Sequence, residues 1–168
     1  MSRPLKRVPE EGDKQREGGR SSPARGGAPM IGDVFLTYAA VGLGSVIGSV
    51  LRALASLASV ALFGAGFPLG TLFVNVTGSF LIGFYATLTG PEGRLFASSR
   101  GRQFMMTGVC GGYTTFSMFS LETLRLAQRG QLNAAGLNVG ISVVAWLTAV
   151  WLGHVLASRL NRLRGAKQ

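Results

Sequence analysis

Acidic residues are scarce in this chain, and cysteine and histidine are scarcer still. The lone cysteine, Cys110, excludes an intramolecular disulfide and belongs to no metal-binding spacing. The lone histidine, His154, is the only titratable group between Arg129 and Arg159. No nucleophile–base pair, metal cluster or nucleotide loop emerges, which points away from an enzyme. Charge of either sign is also absent over long distances. Uncharged runs of 18 residues (34–51), 39 residues (53–91) and 19 residues (103–121) follow one another, and residues 130–158 add 29 more. An ordinary soluble domain does not leave such gaps.

What fills the gaps is apolar: 47% of the 168 residues are hydrophobic, and mean hydropathy is +0.33. A membrane-spanning helix needs roughly 20 mainly apolar residues. The 39-residue run is too long for one span, and FGAGFP (63–68) supplies a break. Four spans follow, at about 34–60, 70–89, 103–128 and 133–158. The expected fold is an all-α membrane protein of four transmembrane helices over residues 33–160. A basic tail over 1–32 and a short basic tail over 161–168 flank it.

The net charge of +10 is uneven, with seven of seventeen basic residues in the first 25 positions. Most of the others border the spans, as at cytoplasmic membrane ends, so nucleic acid is set aside as a partner. Residues 1–29 carry almost no large apolar groups and are expected to be disordered. A signal peptide is the competing reading of a basic stretch before an apolar one, but the basic part is too long and three further spans follow. Four spans put both termini and the 2–3 loop on one side, with Arg94, Arg100, Arg102, Arg159, Arg162, Arg164 and Lys167. Arg52, Arg125 and Arg129 fall on the other, so both termini are expected in the cytoplasm.

Glycines recur four apart at Gly44/Gly48, Gly108/Gly112 and Gly136/Gly140, a spacing that lets membrane helices approach closely. GLGSVIG (42–48) does not read as a dinucleotide loop, because its third glycine is misplaced and no strand precedes it. In the second span Thr71, Asn75, Gly78 and Ser79 share one helical face. An asparagine at mid-membrane needs a partner or a wet cavity. It reads either as an interhelical hydrogen bond or as part of a solvated path.

The third span contains GGYTTFSMF (111–119), a poor helix interior. A break in mid-membrane is expected here, tolerated only where the backbone is buried in protein or lines a cavity. Free carbonyls at a break can coordinate a cation, and free amides can attract an anion. Phe116 and Phe119 share a face, as core filler or as electropositive ring edges toward an anion. Glu122 has no role assignable from sequence.

Together VGLGSVIGSVLRAL (41–54), PLGTLFVNVTGSFLIGF (68–84) and TGVCGGYTTFSMFSLET (107–123) resemble the CrcB/Fluc family of small fluoride channels, in family order and spacing. NVGISVVAWLTAVWLGH (138–154) fits more loosely. The resemblance implies a passive fluoride-selective pore of the plasma membrane that sheds toxic fluoride. It further implies two four-helix subunits packed antiparallel in the bilayer, with two pores along their interface. By motif position Asn75 would donate its amide to fluoride, Phe116 and Phe119 would present ring edges, and Thr71 and Ser117 would line the path. Arg52 would sit at a vestibule. The carbonyls of Gly111 and Thr114 from both subunits would hold a structural sodium ion. Amide and hydroxyl donors with positive ring edges suit fluoride, which is small and strongly hydrated, without trapping it.

Two residues depart from the family pattern. Met118 stands where another small hydroxyl residue is usual, and Asn138 stands near where the fourth span often carries an aromatic. With the fixed orientation, these departures raise a heterodimer with an oppositely oriented homologue beside the homodimer, one pore lining being degenerate. Two rivals remain. A proton-coupled four-helix multidrug exporter would need a carboxylate deep in the membrane, which the first two spans lack. A structural or assembly subunit without transport would need only the glycine packing.

Overall fold

The computed structural model describes residues 31–64, 67–91 and 93–165, and among them all regular structure is helical. The first uncharged run becomes one helix, α1 (Ile31–Phe63), with Asp33 in its first turn, where the helix dipole favours a negative charge. Gly64 ends it at φ +75, a conformation that costs a side-chain-bearing residue more. Pro68, which has no amide to orphan, precedes α2 (Leu69–Leu88). Thr89 closes α2 by turning both its amide (3.0 Å) and its hydroxyl (2.8 Å) onto the Tyr85 carbonyl.

The third segment is built in pieces. It comprises a short helix α3 (Ser99–Gln103), a seven-residue π-helical stretch (Phe104–Cys110) and a single turn α4 (Gly111–Tyr113). After extended backbone at Thr114 and Thr115 it resumes as α5 (Phe116–Gln128). The last helix, α6, runs Leu132–Gly165. α1, α2 and α6 are each long and apolar enough to cross a membrane. The expected third span is not one such helix, since its longest regular piece, α5, has 13 residues. α6 also continues through Gly165, past the expected end of the fourth span and into the stretch read as a C-terminal tail. The N-terminal tail lies outside the described residues except for Ile31 and Gly32, which open α1, and residues 166–168 lie outside as well.

Two glycine pairs explain how the helices meet. On α1, Gly44 and Gly48 face Gly108 and Gly112 of the third segment. A β-carbon on Gly44 would stand 2.7 Å from the Phe104 carbonyl oxygen, and one on Gly108 would stand 3.0 Å from the Gly44 α-carbon. The two backbones therefore touch, which is how helices gain contact in lipid. α2 and α6 pack similarly, with Gly83 against Val150 and Gly153 against Phe80 and Phe84. The third pair differs. Among the described residues nothing lies within 4 Å of a β-carbon on Gly136 or Gly140, so this face of α6 is open within the subunit.

At one end of the bundle, Asn161 donates to the Thr87 carbonyl (3.1 Å) and accepts from the Arg94 amide (3.0 Å), tying the α2–α3 connection to α6. Arg100 pairs with Asp33 at 3.2 Å, linking the starts of α3 and α1. Both partners are exposed, so the pair adds little stability.

Candidate functional site

The double glycine is not where the third helix fails. Gly111 and Gly112 are helical, and the interruption falls one turn later, at Thr114 (φ −81, ψ 159) and Thr115 (φ −152, ψ 117). Its cause sits 40 positions away in the chain. Asn75 on α2 donates to the Thr115 carbonyl (2.9 Å) and accepts from the Thr115 amide (2.7 Å), both bonds buried. One side-chain amide thus replaces the helical partners of a whole peptide residue, as buried backbone requires. The Thr115 hydroxyl then caps α5 by accepting from the Met118 amide at 3.2 Å.

The interruption leaves the carbonyls of residues 111–114 without the helical donors four positions on. The amide four residues beyond Gly111 is that of Thr115, held by Asn75; the amide four beyond Thr114 is that of Met118, held by the Thr115 hydroxyl. Gly111 and Thr114 are two of these four positions; the Gly112 carbonyl is approached by the Ser49 hydroxyl at 3.5 Å, and Gly111 is exposed on the subunit surface.

The polar face of α2 runs past the clamp from one cavity to another. A cavity of about 310 Å³ on one side is lined by Thr71, Met118, Glu122, Arg125 and Arg129 among others. A second, of about 280 Å³, is lined by Asn75, Gly78, Ser79, Thr115, Phe116 and Trp146 among others. From Thr71 to Ser79 is eight residues, about 12 Å of helix, and the Asn75–Thr115 pair stands between. In the first cavity the Glu122 carboxyl lies beside the Thr71 hydroxyl, and its Oε2 is buried without a partner.

The rings divide. Phe116 and Phe119 stack at 5.5 Å with tilted planes, but Phe116 is 70% exposed and Phe119 only 7%. Phe119 meets Trp146 of α6 at 4.9 Å, the two planes 73° apart. Ser117 is exposed, its hydroxyl 3.3 Å from that of Thr115. Arg52 is half-buried on α1 and lines neither cavity, so it stands apart from the cluster of Asn75, Thr71, Phe116, Phe119 and Ser117. Met118 is exposed and lines the first cavity.

Residues 39–154 match the family model described as CrcB-like protein, Camphor Resistance (CrcB). The chain belongs to the CrcB family. Among curated CrcB relatives it is 62% identical to Fluoride-specific ion channel FluC 1 of Rhodopseudomonas palustris over 128 residues, 76% of this chain and 91% of the relative. It is 55% identical to Fluoride-specific ion channel FluC of Paramagnetospirillum magneticum over 128 residues (76% and 100%). To the channel of the same name from Opitutus terrae it is 54% identical over 129 residues (77% and 98%).

In this CrcB chain three residues gain roles that sequence reasoning missed. Thr115 is the clamped and capping residue rather than a bystander between glycines and rings. Asn138, 2% exposed, donates to the Thr123 hydroxyl (2.8 Å), which in turn donates to the Phe119 carbonyl (2.8 Å). It thereby fixes α5 against α6. Trp146 falls eight residues beyond Asn138, two turns along the same face, and that spacing was the available signal.

Proposed function

We propose that this chain forms a fluoride channel, a passive path by which fluoride leaves the cytoplasm and its toxicity falls. The observation that carries the reading is the Asn75–Thr115 clamp on the wall of the second cavity, one helix turn from Thr71 on the wall of the first. The Asn75 nitrogen has two hydrogens and spends one on Thr115, leaving a second to give an anion. Hydroxyls and aromatic rings flank it, and no basic residue lines the second cavity, so an entering anion is solvated without being trapped. The names of the relatives support fluoride as the ion.

On this reading the two halves of the third segment together make a fourth crossing of the plasma membrane, with both termini cytoplasmic. Two subunits pack antiparallel across the break. The exposed Phe116 and Gly111 support that pairing, since both lie at the interruption and are uncovered within one subunit. The released carbonyls of Gly111 and Thr114, met by their counterparts in the partner, fit a structural sodium ion, which would neutralise the facing dipoles at the dimer centre. The partner is a second copy or a homologue of opposite orientation. Met118 supports the latter, because it puts an exposed thioether on the lining of the first cavity, which Thr71 also lines.

The test is efflux from liposomes. The purified chain is expected to release fluoride and retain chloride, and proton-coupled export of cationic dyes in place of fluoride would favour the exporter. Fluoride release only when a homologous subunit is co-reconstituted would establish the heterodimer.

A further inference from the structure

One residue on the lining of the second cavity carries a buried donor that no described residue accepts from. The indole nitrogen of Trp146 is buried and has no partner. Its ring meets that of Phe119 at 4.9 Å with the planes nearly perpendicular, and the residue lines the same cavity as Asn75, Ser79 and Phe116. On α6 it continues a stripe at four-residue steps, Asn138, Ser142 and Trp146, whose first two members are 2% and 1% exposed. Asn138 is anchored through Thr123 to the Phe119 carbonyl, so the Phe119–Trp146 pair is supported by hydrogen bonds from the helix turns beside it. The orientation of the indole is therefore determined by packing and not by any acceptor.

We propose that Trp146 is an ion-contacting residue of the path, its indole N–H donating to fluoride alongside the free hydrogen of Asn75. The inference rests on the channel reading above. An indole nitrogen donates and cannot accept, so only an acceptor can satisfy it. A buried donor left unmade is costly, and a fold that keeps one beside a cavity with no carboxylate on its lining has left the acceptor to come from outside. A neutral donor suits a passing anion better than an ammonium or guanidinium would, since it replaces hydration water without holding a counter-charge. Fluoride, the smallest and strongest acceptor among the halides, gains most from such a contact.

The chain has two tryptophans, and the other, Trp151, is exposed on α6 and absent from the lining of both cavities. Trp151→Phe therefore leaves Trp146 as the sole indole reporter. In this variant, sodium fluoride is expected to change the emission of Trp146 saturably, while sodium chloride at the same ionic strength does not. Trp146→Phe, which keeps an aromatic ring against Phe119 but removes the donor, is expected to slow fluoride efflux roughly tenfold, the loss of one hydrogen bond to a charged group. Efflux within twofold of wild type, or emission that fluoride leaves unmoved, overturns the proposal and assigns the N–H to water or to the face of Phe119. The emission measurement decides the matter if Trp146→Phe does not fold. Wild-type vesicles that release no fluoride, alone or with a homologous subunit, overturn the channel reading itself, whereas normal wild-type release with a silent Trp146 overturns only this inference.

Discussion

Asn75 carries two tasks with one side chain, and substitutions separate them. Asn75→Asp keeps an acceptor for the Thr115 amide but turns a carboxylate oxygen on the Thr115 carbonyl and puts a negative charge where an anion would pass. Fluoride efflux is expected to fall at least a hundredfold, measured with a fluoride electrode on liposomes. Asn75→Leu leaves both buried backbone groups of Thr115 unpaired, and at roughly 1–3 kcal/mol each the subunit should lose several kcal/mol in a denaturation titration in detergent. Thr115→Val separates the cap from the clamp: it keeps the β-branched shape and the backbone bonds to Asn75 but removes the hydroxyl that accepts from Met118. A loss of about 1 kcal/mol is expected. Rings were harder to read than amides. The spacing of Phe116 and Phe119 made them equivalent, and only the arrival of Trp146 from α6 buries one and leaves the other open.

Among the elements, the helices visible in the sequence were those that charge brackets. α1, α2 and α6 fill the long uncharged runs, because a stretch without charge and rich in apolar side chains has no better use than to cross or line a bilayer. The interruption of the third segment was legible to within GGYTTFSMF, and falls on its threonine pair rather than its glycine pair. Low helix preference drew attention to Gly111–Gly112, yet those residues stay helical because α1 needs their bare backbone to approach. The true break depends on an asparagine 40 residues earlier, which no local pattern can register. The glycine pairs likewise looked alike and are not. Gly112→Ala drives a methyl into the Ser45 backbone and is expected to destabilise the subunit by roughly 1–3 kcal/mol, seen as a lower melting temperature in detergent. Gly140→Ala meets nothing within 4 Å, so the subunit should melt as wild type does, and a shift in its oligomer distribution would then report on what covers α6.

For the whole molecule, charge sits at one end of the proposed path, in the first cavity, and is absent from the second. Arg125 and Arg129 line the first cavity with Glu122, while the second has only neutral groups. Basic residues at a mouth raise the local anion concentration without binding ions deep inside, an effect that salt screens within about 10 Å at 0.1 M. Arg125→Gln with Arg129→Gln is therefore expected to slow fluoride efflux severalfold at low ionic strength and much less at high, and equal slowing at both would reject the funnel.

The clamp at Thr115 also bears on what kind of machine this is. A broken membrane helix is often a joint, a place where two rods swing and a passage opens or shuts. Here the gap is riveted: two short buried bonds from α2 grip both faces of a single peptide residue, and a third caps the helix that follows. Swinging α5 together with Thr115 would break both Asn75 bonds, and swinging it without Thr115 would break the cap. A passage built around a rivet has no natural closed position. If it conducts, it conducts steadily, with throughput following the ion gradient and neither voltage nor ligand needed to set it in motion.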